Sequence, residues 1–174
     1  MAVLKKIRSR LFSSGAGEGE DAGADGAVRA ARGQSRYDVR PLTVAQLDEC
    51  WRLDLRCFVD GEAYSRETFE YLLTSPDSVS YRAVTPDGTM VGFIVGIVEP
   101  DRTGHITTLG VAPEHRNKGL ELLMIHELYG RAMAKGYRAC EASWTLEDNR
   151  AMNHVIEAGG AKHYKTYRIY EKDL

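Results

Sequence analysis

The sequence predicts an α/β sandwich: a mixed, mostly antiparallel central sheet flanked by helices. Three observations predict it. First, His105 to Val111 is a β-branched and aliphatic run closed by Pro113, and it leads through a basic, glycine-containing turn into a helix stopping at Lys135-Gly136. Second, two β-rich runs between Val79 and Val98 flank Pro86-Asp87-Gly88-Thr89, residues that suit a type I turn with a glycine bulge. Third, the elements follow as strand, helix, helix, hairpin, strand, helix, strand, helix, strand, an order that builds layers on a sheet.

The 174 residues suffice for one domain with a sizeable core, and 43% hydrophobic with 28% charged content fits a soluble globular chain. No apolar run is long enough to cross a bilayer and no signal-peptide core is present, so a cytoplasmic protein without stable membrane insertion is expected. The net charge of −2 conceals an asymmetry. Residues 1–36 carry seven basic and four acidic side chains, which leaves the remainder at −5 and argues against nucleic-acid binding. Cys50, Cys57 and Cys140 are scattered without metal-site spacing, so no metal is expected and a reducing compartment is the default.

Residues 1–36 are expected to be a disordered basic tail and a Gly/Ala-rich linker, with the folded domain running from 37 to 174. Met1 to Phe12 places Leu4, Ile7 and Leu11 at helical spacing among four basic residues, but a twelve-residue helix is marginal. Ser13 to Gln34 lacks apolar periodicity. Tyr37-Asp38-Val39-Arg40 alternates like a first strand. Thr43 and Gln46 fit a capping box opening a helix that carries Leu47, Cys50, Trp51 and Leu55. Ser65 caps a second helix with Phe69, Leu72 and Leu73 inward. In the hairpin's second strand, Gly92 and Gly96 indicate close packing or a bulge. Leu120, Leu123, Met124, Leu128 and Ala132 mark the apolar stripe of the long helix. Tyr137 to Thr145 is the next strand. Glu147-Asp148-Asn149 opens a helix through Met152, Val155 and Ile156 that ends at Gly159-Gly160, and Lys162 to Lys172 makes a final strand or hairpin.

A strand feeding a helix through a basic turn grips anions, because the first helical amides have no internal partners and the macrodipole is positive there. Arg116 and Lys118 add charge, and Gly119 permits close approach to the backbone. The stretch Val111-Ala112-Pro113-Glu114-His115-Arg116-Asn117-Lys118-Gly119-Leu120 resembles the signature of the GNAT superfamily of acetyl-CoA-dependent N-acetyltransferases, (Q/R)-x-x-G-x-(G/A) preceded by a strand and V-x-P. The resemblance runs in order from about Tyr37 to the C-terminus. In general appearance it is nearest to the ribosomal-protein alanine N-acetyltransferases, through Phe58 to Phe69 and Gly104 to Gly119.

The resemblance implies a GNAT-like acyl-CoA N-acyltransferase fold and acetyl-CoA as co-substrate. It implies that the backbone of Leu109, Gly110 and Val111 pairs with the pantetheine arm. It further implies that the amides of Arg116, Asn117, Lys118, Gly119, Leu120, Glu121 and Leu122 hold the pyrophosphate, with Asn149 adding to the cofactor site. Glu62 and Tyr64, between the first two helices, become acceptor contacts. Glu141 resembles the catalytic glutamate of that subgroup, with Glu147 as the alternative; His105 and His126 are read as structural or solvent-facing. Two positions depart from the pattern. Glu121 stands where the family has Gly or Ala, and the seventh residue after Asn149 is Ile156, where many members carry the tyrosine acid. Tyr164 and Tyr167 are the candidate substitutes. The acceptor is expected to be a primary amine, either a protein N-terminus or a small molecule, reached by direct transfer from a monomer or homodimer. A non-catalytic acyl-CoA-binding regulatory module remains the rival reading.

Overall fold

The computed structural model describes residues 2–10, 36–59, 62–137 and 139–170, with no account of the side chains of residues 2–10, 143, 144 and 169. Its centre is a seven-stranded sheet in the order β2-β3-β4-β5-β6-β1-β7. The strands are β1 (Ala2–Arg10), β2 (Asp38–Pro41), β3 (Ser78–Val84), β4 (Met90–Val98), β5 (Thr103–Val111), β6 (Ala139–Leu146) and β7 (Lys162–Ile169). The helices are α1 (Leu47–Cys57), α2 (Arg66–Thr74), α3 (Leu120–Ala134) and α4 (Arg150–Ala158). Five of the six neighbouring pairs are antiparallel; only β5 and β6 run parallel.

Local signals behave as their chemistry requires. Thr43 and Gln46 form the reciprocal capping box, although it first closes a single 3-10 turn before α1. The Ser65 hydroxyl accepts from Thr68 N at the start of α2, a cap whose loss costs about 1 kcal/mol. The hairpin turn closes through Gly88, at φ +90°, with Thr85 and Thr89 joined backbone to backbone. Gly92 lies where a Cβ would stand 3.1 Å from the Met124 methyl, and Gly96 where it would stand 3.0 Å from the His105 carbonyl.

Helices α1 and α2 cover one face of the sheet, meeting Phe93 through Phe69 at 5.7 Å between ring centroids. The other face is covered by α3, whose Leu120, Leu123, Met124, Ile125 and Leu128 are buried. The inward face of α1 differs from the one its apolar pattern suggested. Leu47, Cys50, Leu53 and Asp54 are buried, while Leu55 is exposed.

The sequence pointed to a solvated tail at the N-terminus, and the structure instead draws Ala2–Arg10 as a strand. It pairs antiparallel with β6 on one side and β7 on the other. The physical reason is backbone chemistry: two strand edges offer donors and acceptors to an extended segment. The expected linker Ser13–Gln34 lies outside the described residues. Among the described residues no helix is long and apolar enough to cross a membrane.

Candidate active site

One extra residue creates the site. Along β4 and β5 the register runs from Val111 opposite Gly92 to Thr108 opposite Val95, and then Ile106 stands opposite Gly96. Thr107 is the additional residue, a bulge that bends its strand. On its other edge β5 pairs with β6 only over Thr103–Ile106 and Ala139–Ala142. Pairing ends where the bulge begins, and the two strands part. Between them opens a cleft of about 460 Å³.

Backbone alternation decides what this cleft can bind. Ala112 donates its N–H to Val91 O at 2.9 Å, so the backbone groups of Leu109 and Val111 turn away from β4 and toward the gap. The Gly110 backbone is turned to β4, and its missing side chain serves packing. A Cβ there would stand 2.5 Å from the Phe93 ring and 3.1 Å from Cys57 Sγ.

Beyond Val111 a single 3-10 turn, Pro113–His115, leads into the basic turn. Asn117 and Gly119 are both left-handed, at φ +59° and +74°. Left-handed residues in a tight turn aim successive amides into one concavity. Helix α3 follows without a side-chain cap, so the N–H groups of Leu120, Glu121 and Leu122 have no partner within the helix. A Cβ on Gly119 would meet nothing within 4 Å. Arg116 is engaged elsewhere: its Nε donates to Val111 O at 3.1 Å and its Nη2 to Cys57 O at 2.9 Å. The guanidinium therefore braces the turn against β5 and α1. Lys118 donates from Nζ to Glu114 O at 2.8 Å, and Glu121 is half-buried in the first turn of α3.

The opposite wall comes from the α1–α2 connection, where Phe58, Glu62 and Tyr64 line the cleft. The Tyr64 ring meets Phe69 edge-on at 6.1 Å. Its backbone N–H donates to Asp54 Oδ2 at 2.8 Å. Asp54 is fully buried, and burial pushes its carboxyl up to about 6 despite that bond. The sequence reading missed it, because an acid among apolar residues of a helix reads as part of the solvated face.

Glu141 is buried on β6, in parallel register with His105. His105 Nδ1 lies 3.8 Å from Glu141 Oε2, and Tyr164 donates its hydroxyl to Glu141 Oε1. His105, set aside on sequence, lines the cleft, with Glu141 directly behind it. Positions 105 and 141 meet only through strand register, which spacing along the chain does not reveal. Tyr167 is drawn to the Lys165 ammonium, 4.9 Å from its ring centroid, and does not line the cleft. Glu147 is exposed in the turn after β6. Asn149 lines the cleft and caps α4, accepting from Met152 N at 3.2 Å.

A profile of the acetyltransferase (GNAT) family matches residues 47–160. The chain belongs to that family. Among curated proteins, the bacterial ceramide synthase of Caulobacter vibrioides is 40% identical over 77 residues, which are 42% of this chain and 20% of that relative. The chain thus spans about a fifth of the relative's length. Among solved structures, the ribosomal-protein-S18-alanine N-acetyltransferase of Escherichia coli superposes with a TM-score of 0.65 at 17% identity, covering 71% of this chain and 76% of that one. AAC(6')-Iy in complex with the bisubstrate analogue CoA-S-monomethyl-acetylneamine superposes with a TM-score of 0.66 at 19% identity, covering 80% and 100%. At these identities the likeness is one of fold.

For a GNAT chain the donor is acyl-coenzyme A, and the residues here fit that group. The first amides of α3 have no side-chain cap, and the backbone of Leu109 and Val111 is turned away from β4, with the Val111 carbonyl held by Arg116 Nε. The family's tyrosine position is filled by Ile156, which is 5% exposed and lines the cleft. A phenol reaches Glu141 from another direction, on β7.

Proposed function

We propose that this GNAT chain transfers an acyl group, acetyl in the first instance, from coenzyme A to a primary amine by direct transfer. The observation that carries the reading is the bulge-opened cleft lined by His105 and Leu109, with Glu141 and Tyr164 linked behind His105 and the uncapped start of α3 following β5 after one short turn. In this reading Leu120 to Leu122 hold the pyrophosphate through their N–H groups, with Lys118 beside them. Leu109 and Val111 hold the pantetheine arm as a neighbouring strand would. The acceptor enters past Glu62 and Tyr64, where an acid suits an ammonium group. Its proton leaves to His105, with Glu141 behind it, and the Tyr164 hydroxyl is the proton source for the leaving thiolate. Placing both substrates in one cleft supplies much of the rate, and the acid–base groups contribute roughly 10²–10⁴-fold.

The acceptor is a protein N-terminal amine or a small amine, the two classes represented among the structural neighbours. A second reading concerns the donor. Ala142, Leu146, Met152 and Ile156 give the β6–α4 wall an apolar surface, which suits acyl chains longer than acetyl. The stretch shared with a ceramide synthase supports this, since a ceramide is an N-acylated long-chain amine.

Thiol release from acyl-coenzyme A donors of increasing chain length, with peptide and small-amine panels, tests both readings. Turnover with at least one amine is expected. Glu141→Gln should lower kcat by about 10²–10³ while leaving the calorimetric affinity for coenzyme A unchanged. Absence of thiol release across both panels, with coenzyme A still bound, would leave the non-catalytic module as the better reading.

A further inference from the structure

The acceptor wall is secured by a carboxylate that no charge among the described residues neutralises. Asp54 has no exposed surface, and only Oδ2 is engaged, by the Tyr64 N–H at 2.8 Å. Among the described residues Oδ1 has no hydrogen-bond partner. A buried polar atom left unpaired costs about 1–3 kcal/mol, more when charged, so its retention needs a reason. The carboxylate sits on the last two turns of α1, and the segment it grips ends the connection that carries Phe58, Glu62 and Tyr64 into the cleft.

We propose that Asp54 is a positioning residue for the amine acceptor: by holding the Tyr64 amide it fixes where Tyr64 and Glu62 stand at the acceptor side of the cleft. This rests on the transferase reading above. The bond is far stronger to a carboxylate than to a carboxylic acid, because the acceptor then carries full charge. Acceptor recognition should therefore weaken as Asp54 takes up a proton, near pH 6.

The neighbouring groups leave Asp54 to titrate alone. Cys50 and Cys57 on the same helix remain thiols, since burial pushes Cys50 far up and Cys57 up to about 11. Burial likewise raises the Tyr64 phenol, with the Asp54 charge adding to it. Glu49, five residues before Asp54 on α1, faces Met90 N and Arg82. Arg116, from the β5–α3 turn, is held by the Val111 and Cys57 carbonyls. Phe69 of α2, Phe93 of β4 and Gly110 of β5 bring no charge to this layer.

The test compares the full chain with Asp54→Ala and Asp54→Asn. In Asp54→Ala the acceptor KM should rise about tenfold at pH 7.5, with kcat and the affinity for coenzyme A within twofold of the parent. Asp54→Asn keeps an oxygen for the Tyr64 amide but carries no charge, like the protonated acid, so its KM should stand near the parent's low-pH value and stay flat with pH, including at pH 7.5. An unchanged KM in Asp54→Ala would overturn the proposal, as would an equal loss of kcat and coenzyme A affinity. If Asp54→Ala does not fold, the Asp54→Asn profile decides, and a KM–pH curve identical to the parent's overturns it. If no amine is turned over at all, the transferase reading falls separately, and the Tyr64 amide resonance becomes the readout. It should titrate near pH 6 in the parent and not in Asp54→Asn; a flat titration in the parent overturns the role assigned to Asp54.

Discussion

Glu121 occupies the second position of α3, among the uncapped amides proposed above to hold the pyrophosphate. There the macrodipole favours its charge by about 0.3–1 kcal/mol when nothing is bound, and the same charge opposes a pyrophosphate. Glu121→Gly should tighten coenzyme A several-fold in calorimetry while lowering stability by about 1 kcal/mol, the cost of glycine within a helix. Unchanged or weaker binding would place Glu121 away from the phosphates. Side chains of this kind were legible in the sequence, because helix-start chemistry is local. His105, Glu141 and Tyr164 were not legible as a group. Their meeting depends on one parallel register and on a third strand arriving from beyond α4. Asp54 was hidden for another reason. The apolar pattern of α1 invited Leu55 into the core, and the helix instead turns Asp54 inward to serve the chain that follows it.

Elements were read well where a turn or a period marks them and poorly where only pairing does. Both halves of the hairpin, the capping box, the Ser65 cap and the α3 stripe all follow from neighbours in the chain. The Thr107 bulge does not, because a bulge is a mismatch between two strands and neither sequence alone contains it. The same limit applies to Ala2–Arg10, whose strand form rests on edges supplied by β6 and β7. Two glycines of this region make opposite predictions. Gly110→Ala forces a methyl against the Phe93 ring, and overpacking of that kind costs about 1–3 kcal/mol. It should lower the denaturation midpoint of the whole domain. Gly119→Ala meets no neighbour and pays only for a left-handed backbone, about 1 kcal/mol. Its main effect should be a loss of coenzyme A affinity of tenfold or more, with the denaturation midpoint shifting far less than in Gly110→Ala.

For the molecule as a whole, Asp54 ties stability to pH. Its folded-state value of about 6 lies above the usual 3.8, so the folded chain favours the protonated form. That contribution is fully present below about pH 4 and is lost as pH rises through 6, by roughly 3 kcal/mol at most. Denaturant unfolding of the parent and Asp54→Asn should therefore differ little at pH 4, with the asparagine form the more stable at pH 7.5. A difference independent of pH would mean that Asp54 is already neutral throughout. On this view the domain gives up some stability to keep its acceptor wall in place, a trade often seen at working sites.

The parallel ladder between β5 and β6 is only four rungs long, and beyond it the cleft is lined both by the α1–α2 connection and by α4. Gly119 and the start of α3 lie toward one side; Phe58, Glu62 and Tyr64 lie toward the other. On the transferase reading proposed above, donor and amine would come through separate doorways and touch only at the threshold between them. In that reading a bulky recipient would remain outside and offer just its nitrogen, and the spent thiol would back out by the route it came without waiting for the product to clear.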